Sequence, residues 1–181
     1  MNPPPGMERI LFTEEQVAAR VAEVARAIGE KYRDRDLKLI GVLKGSVFFL
    51  TALARALDIP VKIDFLAISS FQGRSTGEAR GMVRIEKDLD DPIQDQDILL
   101  VEDIVDTGFT TRYLLQTLAG RGPRSLAICT LLDRTVRRIV QVPVDFRCFE
   151  IPDRFVVGCG LDHKQLYRNL GYIAVMNPEK G

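Results

Sequence analysis

The stretch ILLVEDIVDTGFTT, Ile98 to Thr111, decides how this chain of 181 residues folds. Ile98 to Val101 form a short apolar run of the kind buried on both faces of a parallel sheet, and such sheets place ligands beyond the carboxyl ends of their strands. Glu102 and Asp103 stand at that end. Asp106-Thr107-Gly108-Phe109-Thr110 then offers a glycine, two hydroxyls and consecutive backbone N–H groups, ahead of Tyr113 to Leu118, which reads as helix. Free N–H groups at a helix start attract phosphate.

Carboxylates beside a phosphate would repel it unless something lies between the charges. Ribose hydroxyls would serve, because a carboxylate accepts both hydrogens of a vicinal diol, and so would Mg²⁺, which favours oxygen ligands and substrate phosphates. The turn differs from a P-loop, whose last glycine is followed by lysine; Phe109 follows Gly108 here. The stretch GVLKGS, Gly41 to Ser46, repeats the theme with a glycine and Lys44 between a strand and a helix. It suits a second anionic group, and pyrophosphate is the natural candidate.

Working outward, Thr13 and Gln16 have the form of a capping box, and Val17, Val21, Val24, Ala25 and Ile28 follow at helical spacing to about Tyr32. Leu37 to Leu43 reads as a strand, Ser46 to Leu57 as a helix and Val61 to Ile68 as a second strand. Asp97 to Asp103, the helix after Gly108, and Arg124 to Leu132 form a further βαβ unit. The alternation predicts an α/β fold with a parallel twisted sheet flanked by helices. Residues 69–81, with three glycines and many small polar side chains, are expected to form a long mobile loop, with a strand resuming at Met82 to Glu86. From Val144 onward, short apolar runs separated by Pro and Gly predict small strands capping the ligand edge.

The length suits one domain, residues 1–181, with a core of sheet and helices over about 37–143 and a cap over about 144–181. Lys+Arg and Asp+Glu both number 25, so zero net charge speaks against a nucleic-acid partner. No apolar run approaches bilayer length, and residues 1–7 lack the charged and apolar regions of a signal peptide, so a cytoplasmic protein with a frayed start and no membrane partner is expected. Cys129, Cys148 and Cys159 lack metal-ligand spacing and are expected to be reduced core residues. His163 is the only histidine, which directs attention to carboxylates and cations for catalysis.

VEDIVDTGFT, Val101 to Thr110, resembles the phosphoribosyl-pyrophosphate motif of type I phosphoribosyltransferases, and its EDIVDTG form most resembles the hypoxanthine-guanine branch. PDRFVVGCGLD, Pro152 to Asp162, resembles the purine-binding segment of that branch. The resemblance implies transfer of a phosphoribosyl group from 5-phosphoribosyl 1-pyrophosphate to a 6-oxopurine, giving IMP or GMP. It further implies a small hood over the base, built mainly from the C-terminal segment, and a homodimer or homotetramer.

On that resemblance, Glu102, Asp103, Asp106, Thr107, Gly108, Phe109 and Thr110 bind phosphoribose, and Asp106 is the general base. Lys44, Gly45 and Arg168 bind pyrophosphate, with a cis peptide at Leu43–Lys44. Arg134, Phe155, Val156 and Asp162 meet the purine, and Glu102, Asp103 and Asp162 hold Mg²⁺. The 69–81 loop is the lid; Ser70 and Phe71 stand where the family has a Ser-Tyr pair, and Arg134 where it has a lysine. A guanidinium still donates to a 6-oxo group, but its planar fork differs from an ammonium. Two alternatives stay open: xanthine-guanine transfer, and an RNA-binding pyrimidine-pathway regulator of the same fold. The regulators prefer Tyr-Thr-Gly where this chain has Asp106-Thr107-Gly108.

Overall fold

A computed structural model describes residues 6–72 and 80–179. The first helix, α1 (Glu14–Lys31), starts with a reciprocal cap: Thr13 Oγ1 accepts from the Gln16 N–H, and the Gln16 side chain accepts from the Thr13 N–H. Its apolar stripe, including Val17, Val21 and Ile28, is buried.

The main sheet is laid down by β2 (Leu37–Leu43), β3 (Val61–Gln72), β4 (Arg80–Lys87), β5 (Asp97–Val105), β6 (Ser125–Asp133) and β7 (Phe146–Glu150). Their spatial order is β4-β3-β2-β5-β6-β7, with every pairing parallel except β3 with β4. The central strands carry the burial: Leu37, Leu39 and Ile40 of β2 and Ile98 to Val101 of β5 are fully shielded. Shielding such a side chain stabilises by about 1.5–3 kcal/mol, which is why these apolar runs occupy the middle of the sheet. Side chains alternate between faces. Leu37, Leu39, Leu99 and Val101 pack with α1 and α2 (Ser46–Ala56), whereas Ile40, Val42, Ile98 and Leu100 pack with Leu114 and Leu118 of α3 (Phe109–Ala119).

A second, three-stranded antiparallel sheet has the order β1-β9-β8, from β1 (Met7–Phe12), β8 (Val156–Val157) and β9 (Ile173–Met176). This hood is built mainly from the C-terminal segment, as expected, with one strand from the start of the chain. Residues at and just after the end of the expected frayed start supply its edge strand, with Met7 opposite Met176 and Phe12 opposite Ile173. Conversely, β7 falls within the expected cap region but joins the main sheet beside β6, where Cys148 is buried and Phe149 stacks on Phe12 at 4.0 Å. Short strands separated by Pro and Gly look alike in sequence; their partners decide the sheet.

The expected 69–81 loop is shorter than its composition implied. β3 runs on through Gln72 and β4 begins at Arg80, with Ser69 opposite Arg84 and Phe71 opposite Met82. Backbone pairing extends this ribbon although its sequence is polar and glycine-rich. Residues 73–79, and the side chains of Ser70 and Phe71, lie outside the described residues. All three cysteines are buried and free. No helix among the described residues is long and apolar enough to cross a membrane.

Candidate active site

The carboxyl ends of β2 and β5 open into a cleft of about 230 Å³, whose wall includes Gly45, Glu102, Asp103, Asp106, Thr107 and Gly108. Glu102 and Asp103 do not end the strand, as the sequence suggested, but lie within β5, which continues to Val105. Strand alternation therefore sends them to opposite faces, Glu102 in phase with Leu100 and Asp103 with Val101. Glu102 is buried and its Oε1 has no hydrogen-bond partner. Burial, reinforced by the neighbouring Asp103, pushes its carboxyl well above the usual carboxylate range. Burial likewise pushes Asp103 up to about 6, against the opposing hydrogen bond its Oδ1 accepts from the Ile104 N–H at 2.9 Å.

Beyond β5, Gly108 adopts φ +90, the left-handed conformation that glycine enters at little cost, and caps α3. Its Cα faces the Val140 carbonyl so closely that a Cβ would collide with it. The glycine turn expected ahead of the helix is thus present at Gly108. Phe109 and Thr110 begin α3, and the Phe109 ring is exposed, so its contribution to the turn is its backbone.

The second turn follows β2. The Leu43–Lys44 peptide is cis, as the resemblance implied. Lys44 is exposed, and Gly45 is packed between two parts of the site. A Cβ there would strike the Asp103 carboxylate, and a Cβ on Gly160 would strike the Gly45 carbonyl. The glycines let the acid strand, the β2 turn and the segment after β8 stack backbone against side chain. Arg168 fixes that segment: its Nη1 donates to the Gly160 carbonyl at 2.7 Å, and its Nη2 lies 2.7 Å from Asp162 Oδ1.

At the hood end, Phe155 keeps an exposed ring, and His163 meets it edge-on at 5.6 Å. Val156 is buried in β8. Arg134, 6% exposed, reaches Asp106 Oδ2 through Nη1 at 3.2 Å and the Arg154 carbonyl through Nη2 at 2.7 Å. Arg137 Nη1 is 3.6 Å from the same Asp106 oxygen, while Asp106 Oδ1 is buried without a partner.

Most of the residues expected from sequence therefore gather along one edge, Glu102 and Asp103 of the metal set among them. Among the described residues no three His, Cys, Asp or Glu side chains converge as a cation cage. Glu102, Asp103 and Asp162 thus form no common protein cage: the first two line the cleft, and Asp162 is held by Arg168 and by the Gln165 N–H at 2.8 Å. Mg²⁺ needs no such cage, since it keeps waters and substrate phosphates, and the orphaned Oε1 of Glu102 beside Asp103 fits that mode. Sequence reasoning missed Arg137, Arg138 and Gly160. Two adjacent arginines just past the buried β6 run were the available signal for the first pair; nothing local marked Gly160.

The fold and cleft define the class, an α/β protein with a mostly parallel sheet and a cleft at its carboxyl edge lined by two glycine turns and paired acids. Residues 10–164 match the phosphoribosyl transferase domain model. The chain is 48% identical to a hypoxanthine-guanine phosphoribosyltransferase of Mycobacterium avium over 181 residues, covering 97% of this chain and 88% of that protein. It is 46% identical to the hypoxanthine phosphoribosyltransferase of Escherichia coli over 167 residues, covering 91% and 92%. A crystal structure of a hypoxanthine phosphoribosyltransferase from Staphylococcus aureus superposes with a TM-score of 0.90 at 38% identity, covering 96% of this chain and 94% of that one. The chain belongs to the phosphoribosyltransferase family, with its type I fold, and is a transferase.

Proposed function

We propose that this protein transfers the 5-phosphoribosyl group from 5-phosphoribosyl 1-pyrophosphate to hypoxanthine and guanine, releasing pyrophosphate and forming IMP and GMP in purine salvage. The observation that carries this reading is the joint placement of the Asp106 turn and the Leu43–Lys44–Gly45 turn around one cleft, with Arg134 linking Asp106 to the Arg154 carbonyl beside Phe155, in a chain whose relatives bear that activity in their names.

The 5-phosphate rests on the turn formed by Thr107 to Thr110, and Glu102 and Asp103 take the ribose diol. The same two carboxylates, with Asp162 through water, would hold Mg²⁺, which supplies charge neutralisation on the pyrophosphate leaving group when bound. Lys44, the Gly45 backbone and Arg168 take that group. Arg168 exchanges Asp162 for it.

Phe155 stacks on the purine, the Val156 backbone and Asp162 meet its edge, and Arg134 donates to the 6-oxo group. A donated hydrogen bond at that position disfavours adenine, which carries an amino group there. Asp106, with one buried and unpartnered oxygen, accepts the N7 proton as the base joins C1′. Ser70 and Phe71 belong to a lid that excludes water from the cationic sugar. The protein works in the cytoplasm as a homodimer or homotetramer, with neither nucleic acid nor membrane as partner.

The test offers hypoxanthine, guanine, xanthine and adenine in parallel with the sugar donor and Mg²⁺. Turnover of hypoxanthine and guanine supports the reading, preference for xanthine and guanine replaces it with the neighbouring specificity, and no turnover of any base overturns it.

A further inference from the structure

Three successive carbonyls from the end of β5 into the phosphate turn are held from behind by one segment, residues 134–140. The Arg134 N–H donates to the Val105 carbonyl at 2.9 Å, Arg138 Nε to the Asp106 carbonyl at 3.0 Å, and the Ile139 and Val140 N–H groups to the Thr107 carbonyl, each at 2.9 Å. Arg138 Nη2 also approaches the Val105 carbonyl at 3.5 Å. A trans peptide is planar, so its C=O and the following N–H point in opposite directions. Pinning the carbonyls of residues 105, 106 and 107 therefore turns the N–H groups of Asp106, Thr107 and Gly108 the other way.

Of these four residues only Arg138 acts through its side chain on the turn's backbone. Its guanidinium is 8% exposed and pairs with Asp133, itself 4% exposed, whose other oxygen accepts from Arg147 Nη1 at 3.0 Å. A buried cation is retained where its charge and donors are matched, and here the spare donors are spent on the turn. The stem of Arg138 also lies against Gly108, its Cδ 3.1 Å from where a Cβ would be.

We propose that Arg138 is a positioning residue for the sugar phosphate: its buried guanidinium holds the Asp106 carbonyl and thereby aims the Thr107 N–H into the anion-binding turn. This role rests on the reading of the turn given above. The Arg138 guanidinium bonds the turn's carbonyls and Asp133 rather than the side chains of Arg134 and Phe155 that are read as meeting the base, so its loss separates donor from base.

In Arg138→Met the stem remains and the donors go. The KM for 5-phosphoribosyl 1-pyrophosphate and the calorimetric Kd for ribose 5-phosphate each rise by about tenfold or more, the scale of one hydrogen bond from a charged donor, while the KM for hypoxanthine stays within about twofold. The double variant Arg138→Met/Asp133→Asn removes the stranded carboxylate and gives the same separation even where the single variant folds poorly. Donor KM and ribose 5-phosphate Kd unchanged in a folded variant, or a hypoxanthine KM that rises in step with them, overturns the assignment. A wild-type protein that turns over the donor normally while the variants do so too overturns the role of Arg138 alone; a wild type that neither turns over the donor nor binds ribose 5-phosphate overturns the reading of the turn.

Discussion

The Asp103 carboxylate lies directly against the Cα of Gly45, so the acid strand and the β2 turn share a surface on which no β-carbon fits. Two segments that the sequence places almost sixty residues apart thus form one wall of the cleft. Gly45 itself follows a cis peptide and precedes α2.

Gly45→Ala must displace either the Asp103 carboxylate or the turn. Overpacking of this kind costs about 1–3 kcal/mol, and here the cost falls on the donor site. The expected outcome is a kcat/KM for the sugar donor lower by about tenfold or more, with a melting temperature lowered by a few degrees. Wild-type kinetics in Gly45→Ala would show that the contact is immaterial.

Asp106→Asn keeps the turn's backbone donors and removes the proton acceptor. Turnover should fall by about 10²–10⁴-fold with little change in donor KM. The variant also weakens the pairing with Arg134 and Arg137, so base KM is to be measured alongside. Undiminished kcat would remove Asp106 from the proton transfer.

The pH response follows from the raised carboxyls of β5. Asp103 has an ordinary value of 3.8 and is pushed up to about 6 in the folded protein, so the folded state holds the proton more tightly than the unfolded chain. Its ionisation accordingly lowers the stability of the ligand-free protein as pH rises between these two values, and the loss is complete above about 6. Glu102 shifts in the same direction. A ligand that needs these acids ionised, whether a diol donating to them or Mg²⁺, must release protons on binding. Calorimetry of donor binding with Mg²⁺ in buffers of different ionisation enthalpy should register proton release near pH 6 and weaker binding below it. Buffer-independent heats across that range would refute the linkage.

Arg134 contributes a fork rather than a point charge, one arm to Asp106 and the other to the Arg154 carbonyl. Arg134→Lys retains a cation but cannot keep both arms, and should raise the base KM more than it lowers kcat. Arg134→Met removes the donor altogether and should lower kcat/KM for hypoxanthine by about 10²-fold or more, shrinking the advantage over adenine. Equal kcat/KM for hypoxanthine in wild type and Arg134→Met would place 6-oxo recognition elsewhere.

Much of this was legible without coordinates. The β5 run, the Asp106 turn and the start of α3 are encoded by neighbouring residues: burial period, a glycine at positive φ and a helix start all act over a few positions. The capping box at Thr13 is another such local signal. Even the opposite facing of Glu102 and Asp103 follows from strand alternation once β5 is extended to Val105, though reading the strand as ended at Asp103 concealed it.

What the residues alone determined is therefore the order of apolar strands, helices and glycine turns, and with it a mostly parallel sheet whose carboxyl edge carries Glu102, Asp103 and Asp106. Tertiary structure decided which distant segments meet there. It put β1 into the hood, β7 into the main sheet, Gly160 against Gly45, and Arg138 behind the Asp106–Gly108 turn. The physical reason is range: propensity and periodicity act within a few residues, whereas close approach of backbones and the pairing of buried charges depend on groups that become neighbours only after the chain has packed.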